Sequence, residues 1–170
     1  LMTTLFIFRR DYRIIDNKGL DFAMSNFKNI IPIFIFTPEQ AIKSKNEFFS
    51  DNSFQFLCES LKELDTDLKK NGSKLHIFHG KNVKVLESIN KKEPIKNIVF
   101  NKDYTPYALK RDKKIIGFCK KNNINCHAIE DYLLHPIGTF NKEKDKPYVV
   151  FTPFKNNVLK KKIYKPSKVS

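Results

Sequence analysis

Residues 95–129 read "IKNIVFNKDYTPYALKRDKKIIGFCKKNNINCHAI". An apolar, β-prone run, Ile95 to Asn101, is followed by a turn and then by a helical pattern from Pro106 to Lys121. A second short run, Ile124 to Ile129, closes the unit. Thr105 suits an N-cap, and Pro106 stands at the first helical position, where its missing N–H costs nothing. Ala108, Ile115, Ile116 and Cys119 share the inward face. Strand, helix, strand at this spacing is the signature of two parallel strands joined by a crossover helix.

The same grammar extends towards the N-terminus. Thr3 to Phe8, Asn29 to Phe36 and Ser73 to His79 are further strand candidates. Their apolar runs are continuous rather than alternating, as in parallel strands covered on both faces. Helical patterns lie between them. In Ser53 to Lys70, the residues Phe54, Leu57, Cys58, Leu61, Leu64 and Leu68 recur at helix spacing, with Ser53 as the expected cap and Gly72 as the stop. Asn82 to Lys91 and a weaker Leu20 to Phe27 complete the set. The predicted fold is a doubly wound, five-stranded parallel sheet of Rossmann-like type in three α/β/α layers. Residues 1–132 form the α/β domain in this reading. Residues 133–170 form a closing segment and the start of a connector, with a second aromatic cluster and a basic tail. Leu1 before Met2 reads as a cloning remnant.

Composition excludes several classes. The chain has 170 residues, enough for one core, and no apolar run reaches membrane-spanning length. Cys58, Cys119 and Cys126 form no CxxC pair, so a reducing, intracellular setting (cytoplasm or nucleus) is expected. His76, His79, His127 and His135 lack metal-ligand spacing. The net charge of +14 comes from 28 Lys but only 4 Arg, with abundant Asn and Ile, a bias that an AT-rich genome produces by itself.

Ligands of open parallel sheets bind beyond the carboxyl ends of the strands. Those ends are "FRRDYR", "FTPEQ", "FHGKN", "FNKDYTP" and "IEDYLL". Arg9, Arg10 and Arg13 offer planar cationic forks, with Asp11 and Asp16 as expected internal partners. Arg13 and Asp16 are read as a network tying loop to sheet; for Arg10 and Asp11 ligand contact and internal pairing both stand. Phe36 with Thr37 and Glu39, and Asn101 with Asp103 and Tyr104, present aromatic and polar groups at two further tips. Capping and turn duty is the plain alternative for Thr37, Asp103 and Thr105. No GxGxxG, no GxxxxGK[ST] and no GxSxG motif is present, so the tips read as a binding cleft without a nucleophile.

Five segments carry a resemblance. "FIFRRDYRIIDNKGL" resembles the opening motif of the photolyase/cryptochrome family, with Tyr12 and Gly19 where the family usually has Leu and Ala. "IPIFIFTPEQ", "FFSDNSFQFLCESLKELDTDLKKNGSKLHIFHG", "IVFNKDYTPYALKRD" and "YVVFTPFKNNVLK" are similar to later family segments, in order from Thr4 to Lys161. The resemblance implies the N-terminal α/β domain of a DNA photolyase. In the family this domain holds an antenna chromophore, a deazaflavin or methenyltetrahydrofolate, that passes blue-light energy to FAD. The FAD lies in a helical C-terminal domain, which also binds damaged DNA; here that partner would be a further domain or a separate chain. The resemblance further implies that Asp103 contacts the antenna, that Arg10, Asp11, Phe36 and Thr37 line the cleft, and that Asn101, Tyr104 and Lys110 border the ring. It leaves three readings open: part of a deoxyribodipyrimidine photolyase inactive alone, a cryptochrome-like light-sensing fragment without repair, and a generic nucleotide-binding α/β protein.

Overall fold

The structure is a computed structural model, and it describes residues 2–141, 146–163 and 165–166. Leu1, and Tyr164 and residues 167–170 of the basic tail, lie outside the described residues. The strands are β1 (Thr3–Phe8), β2 (Ile30–Phe36), β3 (His76–His79), β4 (Ile95–Asn101) and β5 (Asn125–Ile129). They pair in parallel in the order β3-β2-β1-β4-β5. The chain therefore winds outward from β1 through β2 to β3, then returns to build β4 and β5 on the other side. The point of reversal lies between β1 and β4, where a doubly wound sheet opens a crevice.

The helices are α1 (Lys18–Asn26), α2 (Pro38–Ala41), α3 (Asp51–Lys70), α4 (Asn82–Lys92), α5 (Pro106–Lys121) and α6 (Phe151–Val158). Alternation along the central strands feeds two cores. Leu5, Ile7, Ile33, Ile98 and Phe100 pack under α4 and α5, through Val85, Leu86, Ile115 and Phe118. Phe6, Phe8, Phe34 and Val99 face the other way, against Leu20 and Ala23 of α1 and Leu61, Leu64 and Leu68 of α3. β1 is buried along its whole length, which is why its sequence shows no polar alternation. β3 alternates between half-buried and exposed because it is an edge strand.

Local chemistry sets the ends of the elements, and in places it corrects the sequence reading. Helix α3 starts two residues earlier than its hydrophobic pattern suggests: Ser50, not Ser53, is the cap, accepting from the Ser53 N–H. Cys58 is exposed, because the face of α3 that meets the sheet runs through Leu61, Leu64 and Leu68. Ile116 is half-buried while Phe118 takes the inner position. β3 begins at His76 rather than Ser73; the preceding residues are used to stop α3. There Gly72, at φ 74°, carries the chain out of the helix, and the Ser73 N–H returns to the Leu68 carbonyl. α1 begins at Lys18, where the side chain of Asn17 caps it by accepting from Leu20 N–H.

His127 on β5 sits between Phe22 and Phe27, with ring centroids at 5.1 and 5.6 Å. Burial pushes its pKa below the usual 6.5. A depressed histidine stabilises the fold above its unfolded pKa, and that stability is lost as the pH falls through the folded one. Thermal melts are expected to show Tm dropping between about pH 7 and about pH 5, with a shallower slope in His127→Phe. An unchanged slope in the variant would assign the acid sensitivity elsewhere.

In the described part of the closing segment, aromatic residues pack on one another. Phe140 meets His135 at 4.8 Å and Phe154 of α6 at 6.2 Å, and Tyr148 meets Phe154 at 6.0 Å. These rings border an apolar cavity of about 560 Å³. α6 buries none of its residues completely, and Val149 and Phe151 are 89% and 71% exposed.

Candidate functional site at the carboxyl rim

β1 delivers Arg9 and Arg10 to the rim in succession, so they point to opposite sides. Arg9 turns inward. Its side chain is 6% exposed, and its guanidinium lies 3.8 Å from the Phe100 ring centre. Nη1 donates to the Asn101 carbonyl at 3.2 Å and pairs with Asp112 of α5 at 2.9 Å. Arg111, one residue before Asp112, donates Nε to the same carboxylate at 2.9 Å. Two guanidinium groups thus share one carboxylate. Burial and the neighbouring Arg111 charge lower the Arg9 pKa, against the pull of Asp112. The Nη2 atoms of Arg9 and Arg111 are both buried, and neither has a hydrogen-bond partner among the described residues.

Arg10 turns outward and meets Asp103 at 3.4 Å. Asp103 is almost fully buried, and it accepts the N–H groups of Tyr104 at 2.7 Å and Thr105 at 3.3 Å. Burial alone would raise its pKa; the Thr105 and Tyr104 N–H groups and Arg10 outweigh that and hold it below the usual carboxylate range. Asp103 is therefore an ionised acceptor at neutral pH, with its rim position fixed by the turn that starts α5.

These tips enclose an inner chamber of about 250 Å³. Arg9, Arg10 and Phe8 line it from β1, Thr37 and Gln40 from the β2 end, Asn82 from α4, and Asp103, Tyr107 and Arg111 from the β4–α5 unit. Through Thr37, Asn82, Tyr107 and Arg111 it adjoins an outer groove of about 440 Å³, bordered by Lys81, Lys84, Lys110, Lys114 and Glu39. Together they fall in the range of about 300–1,000 Å³ usual for small-molecule sites.

Of the residues singled out in the sequence, Arg10, Thr37 and Asp103 meet in the inner chamber, and Lys110 stands on the outer groove. The other four lie elsewhere. Asp11 and Asn101 are buried beneath the rim and hydrogen-bonded to each other. The Phe36 ring packs on Phe34 and Phe54 in the core on the far face. Tyr104 is half exposed in a small depression with Glu130 and Tyr132. The β5 tip does not reach the chamber; it braces the first loop, with Asp131 pairing Arg13 at 2.6 Å. Arg9 and Arg10 find their partners across the sheet in Asp112 and Asp103, while Arg13 joins Asp131 to the first loop, where it also donates to the Asp16 carbonyl at 2.7 and 3.1 Å, in keeping with its expected bracing role. Among the described residues no group of three or more His, Cys, Asp or Glu side chains gathers as a metal site. Sequence reasoning missed Asn82, Tyr107, Arg111 and Asp112, which sit inside helical patterns.

The family model for DNA photolyase matches residues 4–169. This chain belongs to the DNA photolyase family. It corresponds to the N-terminal region of its photolyase and cryptochrome relatives. It is 28% identical over 158 residues to a (6-4)DNA photolyase of Arabidopsis thaliana, covering 89% of this chain and 28% of that one. It is 31% identical over 125 residues to Cryptochrome-1 of Aedes aegypti, covering 70% of this chain and 22% of that one. Among solved structures, an archaeal photolyase from Sulfolobus tokodaii superposes with a TM-score of 0.87 at 41% identity, over 98% of this chain and 37% of that one. That structure is described as holding two FAD molecules, with the implication of a novel light-harvesting cofactor. The chain spans well under half the length of each of these relatives.

Proposed function

We propose that this part of a DNA photolyase harvests light: its rim cleft holds a planar antenna chromophore that absorbs blue light and passes the excitation to an FAD in a helical partner region. That region, a further domain or a separate chain, would carry out the repair of ultraviolet-damaged pyrimidines in DNA inside the cell. The observation that carries this reading is the inner chamber itself. It offers unpartnered guanidinium donors on one wall, the ionised Asp103 on another, and the half-exposed Tyr107 ring at its mouth. A conjugated ring edged with carbonyl and N–H groups suits that donor set, and energy transfer needs a rigidly oriented dye rather than a reacting side chain. A deazaflavin, a flavin and methenyltetrahydrofolate each present such a ring. The second flavin of the Sulfolobus relative supports a flavin-like occupant. The apolar cavity beside α6, with Val149 and Phe151 exposed, suits contact with the helical region. Residues 133–170 then serve as the closing segment that leads towards it. Among the described residues no helix is long and apolar enough to cross a membrane.

Absorbance titration of the chain with a deazaflavin, FAD and methenyltetrahydrofolate tests the reading. One of the three is expected to bind, with Asp103→Ala weakening it by about tenfold, the loss of a charge-assisted hydrogen bond. No spectral change with any of the three would overturn it. Similarity to cryptochromes as well as photolyases supports light sensing without repair as a second reading. A repair assay of the chain joined to its helical region separates the two.

A further inference from the structure

We propose that the outer face of α5 is an anion-binding surface separate from the antenna cleft, and that it docks on the phosphate backbone of double-stranded DNA. This goes beyond the antenna reading and does not depend on it. Gly117 is exposed at the centre of the face that α5 turns to solvent, opposite the buried Ala108, Ile115 and Cys119. A glycine inside a helix costs stability relative to alanine, and nothing in the fold asks for one here. Gly117 is not among the glycines at positive φ, and a Cβ on it would meet no atom within 4 Å. Its neighbours along the helix surface, at i−4, i−3, i+3 and i+4, are Lys113, Lys114, Lys120 and Lys121. All four are exposed, and among the described residues none of the ion pairs engages them. Four cations therefore ring a bare strip of backbone. That ring repels itself in the free chain, and the missing side chain lets a polyanion come close.

Genome composition does not account for this placement. It supplies lysine to every element alike, yet α3, on the other face of the sheet, carries Asp51, Glu59, Glu63, Asp65 and Asp67 against three lysines. Two of those lysines are paired, Lys69 with Asp65 at 2.6 Å and Lys70 with Asp67 at 2.9 Å. Helix α5 has five lysines, and its one acid, Asp112, is buried and shared by Arg9 and Arg111. Lysines in a last turn also complement the helix dipole. That explains Lys120 and Lys121, but neither Lys113 and Lys114 nor Gly117. The chemistry of the surface selects the partner. The cations lie along about 12 Å of helix axis rather than around one point, and one strand of a duplex presents a phosphate about every 3.4 Å along its axis. A single phosphate would leave most of the ring unused. Between Lys113 and Lys121 the only aromatic residue is Phe118, which is buried, so the face has no ring on which single-stranded bases could stack. A helix that lies in a membrane surface needs its apolar side free, and that of α5 is packed into the core. Lysine, a hydrated point charge, suits phosphate contact that ignores sequence. Membership of the DNA photolyase family favours DNA over RNA as the duplex. Lys114 also edges the outer groove, but Gly117 and the other three lysines line neither compartment of the cleft.

Fluorescence anisotropy of a labelled, undamaged DNA duplex titrated with the chain tests this. Binding is expected at about 0.05 M salt, with log affinity falling against log salt at a slope of about −3 to −4, as for four phosphate contacts. Lys113→Gln, Lys120→Gln and Lys121→Gln together should reduce the slope to about −1. A control of the same net charge, Lys62→Gln, Lys69→Gln and Lys70→Gln on α3, should keep the slope of the parent chain. Gly117→Glu sets an acid among the four lysines and gives α5 a better helix former, with Lys121 four residues on. It should raise Tm by about 2–4 °C while weakening duplex binding at least about tenfold. A more stable chain that has lost its duplex separates a binding role for this face from a folding role. A lower Tm in Gly117→Glu, or unchanged duplex binding, overturns the site. Equal losses in the two lysine triples would show that total charge binds DNA, and also overturn it. So would absence of duplex binding at about 0.05 M salt, or tighter binding to phosphatidylserine vesicles than to the duplex. None of these outcomes bears on pigment binding in the cleft.

Discussion

Asp112→Ala is expected to destabilise the chain by about 3–5 kcal/mol, the usual cost of removing one partner from a buried ion pair. At this chain length that lowers Tm by on the order of 10 °C, measured by thermal melt. The reason is local. Asp112 is 7% exposed and is the one carboxylate shared by Arg9 and Arg111. Without it, two guanidinium groups face each other at the rim with no counter-charge. Helix propensity does not cause the loss, since alanine is the best helix former. Asp112→Asn keeps the shape but loses the charge, and should cost nearly as much. Arg9→Met combined with Asp112→Leu should recover a good part of the loss, because an apolar pair of similar volume costs less than an orphaned charge. A double variant no better than Asp112→Ala would show that packing, and not charge, holds this corner. An anion that binds the chamber should also rescue Asp112→Ala more than it stabilises the parent chain.

The architecture was legible because it depends on patterns within short windows. Continuous apolar runs marked β1, β2, β4 and β5, and Thr105-Pro106 marked the start of α5 with its cap in place. Helix starts that depend on a single side chain were harder to read: Ser50 and Ser53 are equally good caps on paper, and the structure uses Ser50, which accepts from the Ser53 N–H. The site was half legible. Asp103 and Arg10 sit on strand tips, where position alone points to the cleft. Arg111 and Asp112 are hidden in a lysine-rich helix, and nothing in the local pattern separates them from its solvated face. One compositional signal did bear on them. The chain uses 28 Lys and 4 Arg, and three of those four arginines line the chamber while the fourth, Arg13, braces the adjoining loop. Where lysine is otherwise ubiquitous, arginine persists where a planar fork must make several directed bonds at once. Asp11 and Asn101 misled for the opposite reason. They too lie at strand tips, but the first loop folds back over them and turns their polar groups inward.

Asn101→Ala is expected to cost about 3 kcal/mol, and to do so through the fold rather than through ligand contact. Asn101 is fully buried, and its Nδ2 donates to Asp11 at 2.5 Å and to Asn17 at 2.8 Å. Burial pushes the Asp11 pKa up, while the Arg9 N–H and the Asn101 amide pull it back. Removing that amide leaves a buried carboxylate with one strong donor fewer, and its pKa rises further. A carboxylate raised in the folded state favours the fold at low pH, and that advantage is lost as the pH climbs through the folded pKa. The deficit of Asn101→Ala relative to the parent should therefore be smaller near pH 4 than near pH 8, which paired denaturant titrations measure. A companion change approaches the same contact from the other side. A Cβ at position 19 would run into the Asn101 carboxamide oxygen and press on Phe6. Gly19→Ala should thus cost about 1–3 kcal/mol by overpacking. In Asn101→Ala the obstruction is gone, so adding Gly19→Ala to it should cost far less than in the parent, a coupling that a double-mutant cycle reads directly. Additive costs would mean that the two residues do not share this contact. If Asn101→Ala instead kept its stability and lost chromophore binding, Asn101 would belong to the cleft after all, and the inner wall of the site would have to be redrawn one layer deeper.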